Sequence, residues 1–146
     1  MDDYIISITG SQIDGNDEQE ISMTTTGSYY KDNDNYYISY LETDDLGIPN
    51  TTTTLEIDPS QVNIIREGGI KSKMILQKGR RHLCAYETGM GHLMVGICAE
   101  SISADLTETG GQLYFSYAMD INSELAGTNR IHISIKENKC NVTANH

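Results

Sequence analysis

Apolar and polar residues alternate with a period of two from one end of the chain to the other, the pattern of strands with one face turned inward. The C-terminal run is the cleanest: Ile131, Ile133 and Ile135 alternate with Arg130, His132, Ser134 and Lys136. Before it, Leu113, Phe115, Tyr117, Met119 and Ile121 interleave with Tyr114, Ser116, Ala118 and Asp120. Between 93 and 106 the phase changes. Leu93, Val95, Ile97 and Ala99 hold one phase, and Ile102, Ala104 and Leu106 hold the other, which predicts a β-bulge. Earlier strands are expected near 3–12, 18–30, 35–43, 51–58, 61–66, 70–77 and 80–88. Turn-forming stretches separate the runs, among them DGND at 14–17, KDNDN at 31–35, EGG at 67–69, TETGG at 107–111 and SELAG at 123–127. No window of helical length follows a 3.6-residue period.

Nine or ten short strands joined mostly by tight turns make a meander, in which sequence neighbours are also spatial neighbours. Open sheet edges invite edge-to-edge association, so the meander is expected to close. The predicted fold is all-β, an antiparallel up-and-down β-barrel, with one domain over residues 1–138 and a polar tail at 139–146. A β-sandwich is the less economical arrangement, because it needs longer crossover loops than the chain offers.

Composition agrees with strands. The 146 residues include nine tyrosines, one phenylalanine and no tryptophan, with isoleucine and threonine abundant. The formal net charge of −11 opposes binding to nucleic acid or an anionic membrane surface. Six of the ten basic residues nevertheless fall between 66 and 81: Arg66, Lys71, Lys73, Lys78, Arg80 and Arg81. Glu67 is the one acid there, so the segment carries +5. It reads either as a solvated strand face or as an anion-binding patch. Cys84, Cys98 and Cys140 form no C-x-x-C motif, the N-terminus MDDYIISITG lacks a basic leader, and no apolar run nears the roughly 18 residues of a membrane helix. A cytoplasmic protein with reduced thiols is the expectation.

The stretch GRRHLCAYETGMGH at 79–92 concentrates reactive side chains on a hairpin. Its expected pairing sets Leu83, Ala85 and Glu87 opposite Ile97, Val95 and Leu93, with His82, Cys84 and Tyr86 together on the other face near Cys98, Gly96 and Met94. His82, Cys84 and Cys98 are too few and too loosely spaced to predict zinc. His82 and Cys84 lack the third group that orients a catalytic dyad. No metal, cofactor or catalytic residue is therefore predicted. Arg66 is more informative, because it follows Val62 and Ile64 on the apolar phase, and an inward arginine requires a counter-ion. Glu42, in phase with Tyr36, Ile38 and Tyr40, is one candidate. A ligand carboxylate or phosphate, received by Arg66 with His82 and Tyr86, is the other. Thr51 and Thr53, in phase with Leu55 and Ile57, either line such a cavity or simply supply β-propensity.

The ordered series GSYY, YYISYLE, TTTTL, REGGIKSKM, GRRHLCAYET with GMG, GGQLYFSYAMDIN and NRIHISIKE resembles the YwiB-like family. The resemblance runs from about residue 4 to residue 137 and covers nearly the whole chain. It implies a lipocalin-like (calycin-type) β-barrel in a bacterial, cytosolic setting, and no established activity. The positions it carries over are Gly27, Tyr37, Glu42, Thr51–Thr54, Arg66, Gly68, His82, Tyr86, Thr88, Gly91 and Asn129.

Three functional readings follow. The first is a non-enzymatic barrel holding a small anionic molecule in its interior or mouth, with Arg66 as anchor and His82, Tyr86, Glu42, Thr51, Thr53 and Asn129 around it. The second is an interaction module whose basic hairpin, Lys71, Lys73, Lys78, Arg80 and Arg81, meets RNA or an acidic protein. The third is an enzyme using His82 and Glu42 as acid and base. The sequence leaves the oligomeric state open.

Overall fold

The computed structural model describes residues 4–42, 51–58, 60–68, 71–87, 92–121 and 124–138. These form ten strands: β1 (Tyr4–Asp14), β2 (Asp17–Asp32), β3 (Asn35–Glu42), β4 (Thr51–Ile57), β5 (Gln61–Glu67), β6 (Ser72–Gln77), β7 (Arg81–Glu87), β8 (His92–Thr107), β9 (Gly110–Ile121) and β10 (Glu124–Glu137). No helix appears among the described residues. All ten belong to one antiparallel sheet in the order β6-β5-β4-β3-β2-β1-β10-β9-β8-β7. The expected meander is what forms. The first and last strands pair from Tyr4–Glu137 to Ile13–Thr128.

The sheet is nearly closed, and among the described residues its one interruption lies between β6 and β7. No continuous ladder joins these two strands. A bridge between Gln77 and Arg80 and a parallel bridge between Lys78 and Ala99 hold the seam, with the Gly79 amide donating to the Ala99 carbonyl at 3.2 Å.

Inward positions follow the alternation read from the sequence. Ile6, Ile38, Leu55, Ile57, Val62, Leu76, Val95, Ile97, Leu113, Phe115, Ile133 and Ile135 are all buried. Removing each such side chain from water contributes roughly 1.5–3 kcal/mol. The predicted bulge is present: the β8–β9 register shifts between Ala99 and Ser101, so Ala99 and Ile102 both face the core although their spacing is odd. Position 123 lies outside the described residues, and 124–127, the rest of the stretch expected as a turn at 123–127, instead open β10. A second register shift, between Leu125 and Gly127, absorbs its irregularity.

One expectation is overturned. On the β7–β8 hairpin the pairs are His82–Ile97, Cys84–Val95 and Tyr86–Leu93, not Leu83–Ile97, Ala85–Val95 and Glu87–Leu93. A one-residue slip exchanges the two faces of a strand. The expected register would have turned the phase of Arg81 and Glu87 toward the core. The observed one turns that phase outward and leaves Leu83 60 % exposed. Desolvating two charges costs more than exposing one leucine.

The up-and-down course gives the barrel two distinct ends. At the end carrying the termini, the Tyr29 hydroxyl donates to the Thr107 carbonyl and the Tyr36 hydroxyl to the Leu106 carbonyl at 3.1 Å. Tyr4 meets Tyr29 edge-on at 5.3 Å, and Tyr29 stacks on Tyr36 at 5.9 Å. These rings tie β2 and β3 to the far end of β8. The opposite end contains the last residues of β3, β5 and β7 and the first of β4 and β6.

Candidate functional site

Arg66 is the last residue but one of β5 and keeps the inward phase of Val62 and Ile64. Its ladder partners are Thr53 on β4 and Ser72 on β6, and Thr53 pairs in turn with Tyr40 on β3. One row of inward positions, Tyr40–Thr53–Arg66–Ser72, thus crosses four strands toward the end of the barrel away from the termini. Thr53 is 1 % exposed. Its hydroxyl and the buried Ser72 hydroxyl make no hydrogen bond among the described residues.

A half-open cavity of about 210 Å³ lies against this row. Arg66 and Tyr40 form part of its wall, Phe115 and Tyr117 contribute from β9, and aliphatic side chains such as Ile8, Leu55 and Ile133 supply most of the rest. Gly10 helps to leave the space open: a Cβ there would stand 3.3 Å from the Ile131 Cδ1 atom. Ile21 also lines the cavity, is 63 % exposed, and marks its open side. Two other concavities, near Thr109 and near Asn33, are shallow and face solvent at the termini end.

The remaining sequence candidates are distributed as follows. Thr51 is buried on the same phase as Thr53 and pairs in register with Glu42. The side chains of Glu42 and Tyr86 lie outside the described residues, so the Arg66–Glu42 pair is not described. Asn129 is partly buried on the inward phase of β10, opposite Tyr117 and Gln12. His82 is half-buried at the start of β7, with its Nε2 3.0 Å from the Gln77 Oε1. That contact places it near the β6–β7 turn, about 16 Å along β6 from the Arg66–Ser72 level at 3.3 Å per residue. The structure does not bring His82 to Arg66.

The reactive cluster of the hairpin also separates. Cys84 faces inward and is 2 % exposed, whereas Cys98 pairs with Arg81 and Ala118 on the outward phase. Burial pushes the Cys84 thiol up, against a smaller opposing pull from the Lys73 backbone and Arg66. It is a protonated thiol at neutral pH, which suits packing and not nucleophilic attack. Among the described residues no three His, Cys, Asp or Glu side chains are grouped to hold a metal.

The basic segment resolves into three places. Arg66 points inward. Arg81 makes a two-pronged contact with Asp120, from Nε to Oδ2 at 2.9 Å and from Nη2 to Oδ1 at 2.7 Å. That hydrogen-bonded carboxylate holds the guanidinium above its ordinary range. Lys71, Lys73, Lys78 and Arg80 stay exposed along β6 and the turn after it. β6 is an end strand of the ladder, and lysines there discourage the addition of a foreign strand.

Sequence reasoning missed Ser72, Gly10, Ile21 and Tyr117 as parts of this region. The signals were present in the alternation: Ser72 precedes Met74 and Leu76 in phase, and Gly10 follows Ile6 and Ile8. Which inward positions border a space and which are packed solid is not written in a period of two.

Comparison with known proteins returns one family. The profile of a domain of unknown function, DUF1934, matches residues 6–133. The uncharacterised β-barrel protein YwiB of Bacillus subtilis is 32 % identical over 111 residues, 76 % of either chain. The crystal structure of the Bacillus subtilis ywiB protein superposes with a TM-score of 0.82 at 24 % identity, over 92 % of this chain and 91 % of that one.

Proposed function

The chain belongs to the DUF1934 family, and from that premise we propose that it is a non-enzymatic cytoplasmic barrel that binds a small anionic molecule in its interior. The observation that carries this reading is the half-open cavity of about 210 Å³ with Arg66 in its wall. Ligand sites are typically concave and mostly apolar, with a few polar groups that fix orientation. A meander wrapped around such a space is also the arrangement of lipocalin-like barrels. One end is tied by the tyrosines Tyr29 and Tyr36, and Arg66 lies toward the other. Free thiols at Cys84 and Cys98 suit a reducing compartment.

A thermal-shift screen of anionic metabolites against wild type and Arg66→Ala tests the proposal. A ligand present at a hundred times its Kd stabilises by about 2.7 kcal/mol. For a domain of this size that is a rise of roughly 5–10 °C. At least one anion is expected to raise the wild-type midpoint, with a much smaller rise in the variant. If no anion moves the wild type, or the variant responds identically, the reading fails.

The second reading rests on Lys71, Lys73, Lys78 and Arg80, four exposed cations along an edge strand. It takes an acidic protein surface as partner more readily than RNA, because the chain as a whole carries −11.

A further inference from the structure

The register of β7–β8 leaves apolar side chains on the outside of the barrel. Leu83 is 60 % exposed and Met94 47 %, and the two stand diagonally across the hairpin, with Ala85 opposite Met94 and also exposed. The outward phase of the neighbouring strands continues this patch. Ile65 on β5 and Ile75 on β6 are half-buried on that face, and Ile65 pairs with Lys73. The seam brings the two halves together, because the Lys73 backbone reaches the Cys84 sulfur across it. Lys73 is thus level with Cys84, and its outward phase runs beside that of Leu83 and Ala85.

Charge gives the face a sign. Lys71 and Lys73 are exposed on it, with Lys78 and Arg80 on the turn that follows β6. Glu56 and Glu67 are the described acids on the outward phase of β4 and β5, so an excess of positive charge remains. Asp58 is occupied in its own turn, where it accepts from the Ser60 and Gln61 amides. Arg81 adds no net charge, because its guanidinium is held by Asp120 over Gly96, where a Cβ would collide with both.

A surface that combines cations with aliphatic side chains fits a partner that combines carboxylates with aliphatic side chains. RNA would need aromatic platforms for its bases, and the outward positions just named supply none. An anionic membrane is opposed by the overall charge of −11. Exposed ion pairs contribute little by themselves, so the lysines select the sign of the partner and the apolar positions hold it. Four strands at about 4.8 Å spacing span roughly 14 Å along the surface from β5 to β8, the length of four or five extended residues. We infer that the outer face of β5–β8 docks a short acidic segment of another protein, with its aliphatic side chains over Leu83 and Met94 and its carboxylates toward Lys71 and Lys73. The inference rests on the second reading above, that the basic strip meets an acidic protein surface, and is independent of the cavity.

Fluorescence anisotropy of the full chain with short labelled peptides tests it. One peptide repeats Leu-Leu-Asp-Asp, a second Ser-Ser-Asp-Asp and a third Leu-Leu-Lys-Lys. The first is expected to bind, and to weaken as salt rises. Its affinity should fall about tenfold on Leu83→Ser, the scale of one apolar side chain, and Met94→Ser repeats the measurement on the next strand. Lys73→Glu should also weaken the first peptide and reduce its salt dependence. These positions are exposed, so the urea midpoints of the variants should stay near that of wild type. The second and third peptides should bind more weakly than the first on the wild type. A third peptide as tight as the first, or serine variants that bind the first as wild type does, would overturn the inference. A second peptide as tight as the first would also overturn it, while the acidic-surface reading stands. If neither acidic peptide binds, both fail. Sedimentation velocity of the chain alone completes the test: self-association abolished by Leu83→Ser would assign the face to a second copy and overturn the inference.

Discussion

Arg66 and Thr53 became candidate site residues through one rule, strand phase, and the same rule explains what the sequence could not say about them. Phase shows that an arginine is turned inward; it does not show the neighbours that receive it, because those come from strands distant in sequence. Hence Thr53 was legible as an inward hydroxyl, whereas Ser72 was found only once β5 and β6 were in register. Tyr29 illustrates a structural role at this scale. Its phenol sits above its ordinary range, first through burial and then through Tyr36 and Tyr4 close by. A raised value means that the folded state holds the proton more tightly than the unfolded chain. The contribution is therefore complete below about pH 10 and is lost as pH rises beyond it. Tyr29→Phe should cost about 1 kcal/mol at neutral pH through the lost bond to Thr107. It should also flatten the alkaline decline, and urea midpoints measured from pH 7 to 11 check both effects. Of the two described cysteines, a coloured thiol reagent should titrate Cys98 before Cys84 in the native protein and reach Cys84 at full rate only in denaturant.

At the scale of elements, the alternation was sufficient to place nine of the ten strands to within a few residues and to foresee the bulge in β8, whereas β10 begins at Glu124, inside the expected turn. Register was harder, because the β7–β8 pairing depends on an odd or even count across the turn, and apolar side chains stand on both faces of β7. Leu83 argued for one face and the charges Arg81 and Glu87 for the other, and the charges decided. The seam between β6 and β7 was not visible at all, since nothing local distinguishes a hairpin that ladders from one that only touches. It has a measurable consequence. Amides of β6 and β7 should exchange with deuterium well before those of β1 and β10, which are laddered on both sides. Gly27 marks the opposite situation, a tight crossing of β2 and β3. A Cβ there would collide with the Ser39 carbonyl and approach the Ile6 Cδ1 atom at 2.7 Å. Gly27→Ala should destabilise by about 1–3 kcal/mol, read from chemical denaturation.

On the scale of the whole molecule, charge and shape suggest different partners. The exposed lysines of β6 form a local basic strip, yet the field at a distance is that of a chain with −11. Filter binding of single-stranded RNA at low salt is expected to retain nothing. Retention that weakens steeply with salt would speak for the surface reading. The interior reading predicts instead that a ligand reaches a cavity bordered by Gly10, Leu55, Ile64, Arg66 and Ile133. An amide-resolved NMR titration with the most stabilising anion of the thermal-shift screen tests this most directly. The account predicts chemical-shift changes gathered on Gly10, Leu55, Ile64, Arg66 and Ile133, with Lys73, Lys78 and Arg80 unmoved. Changes confined to Lys71–Arg80, with the cavity residues silent, would contradict it.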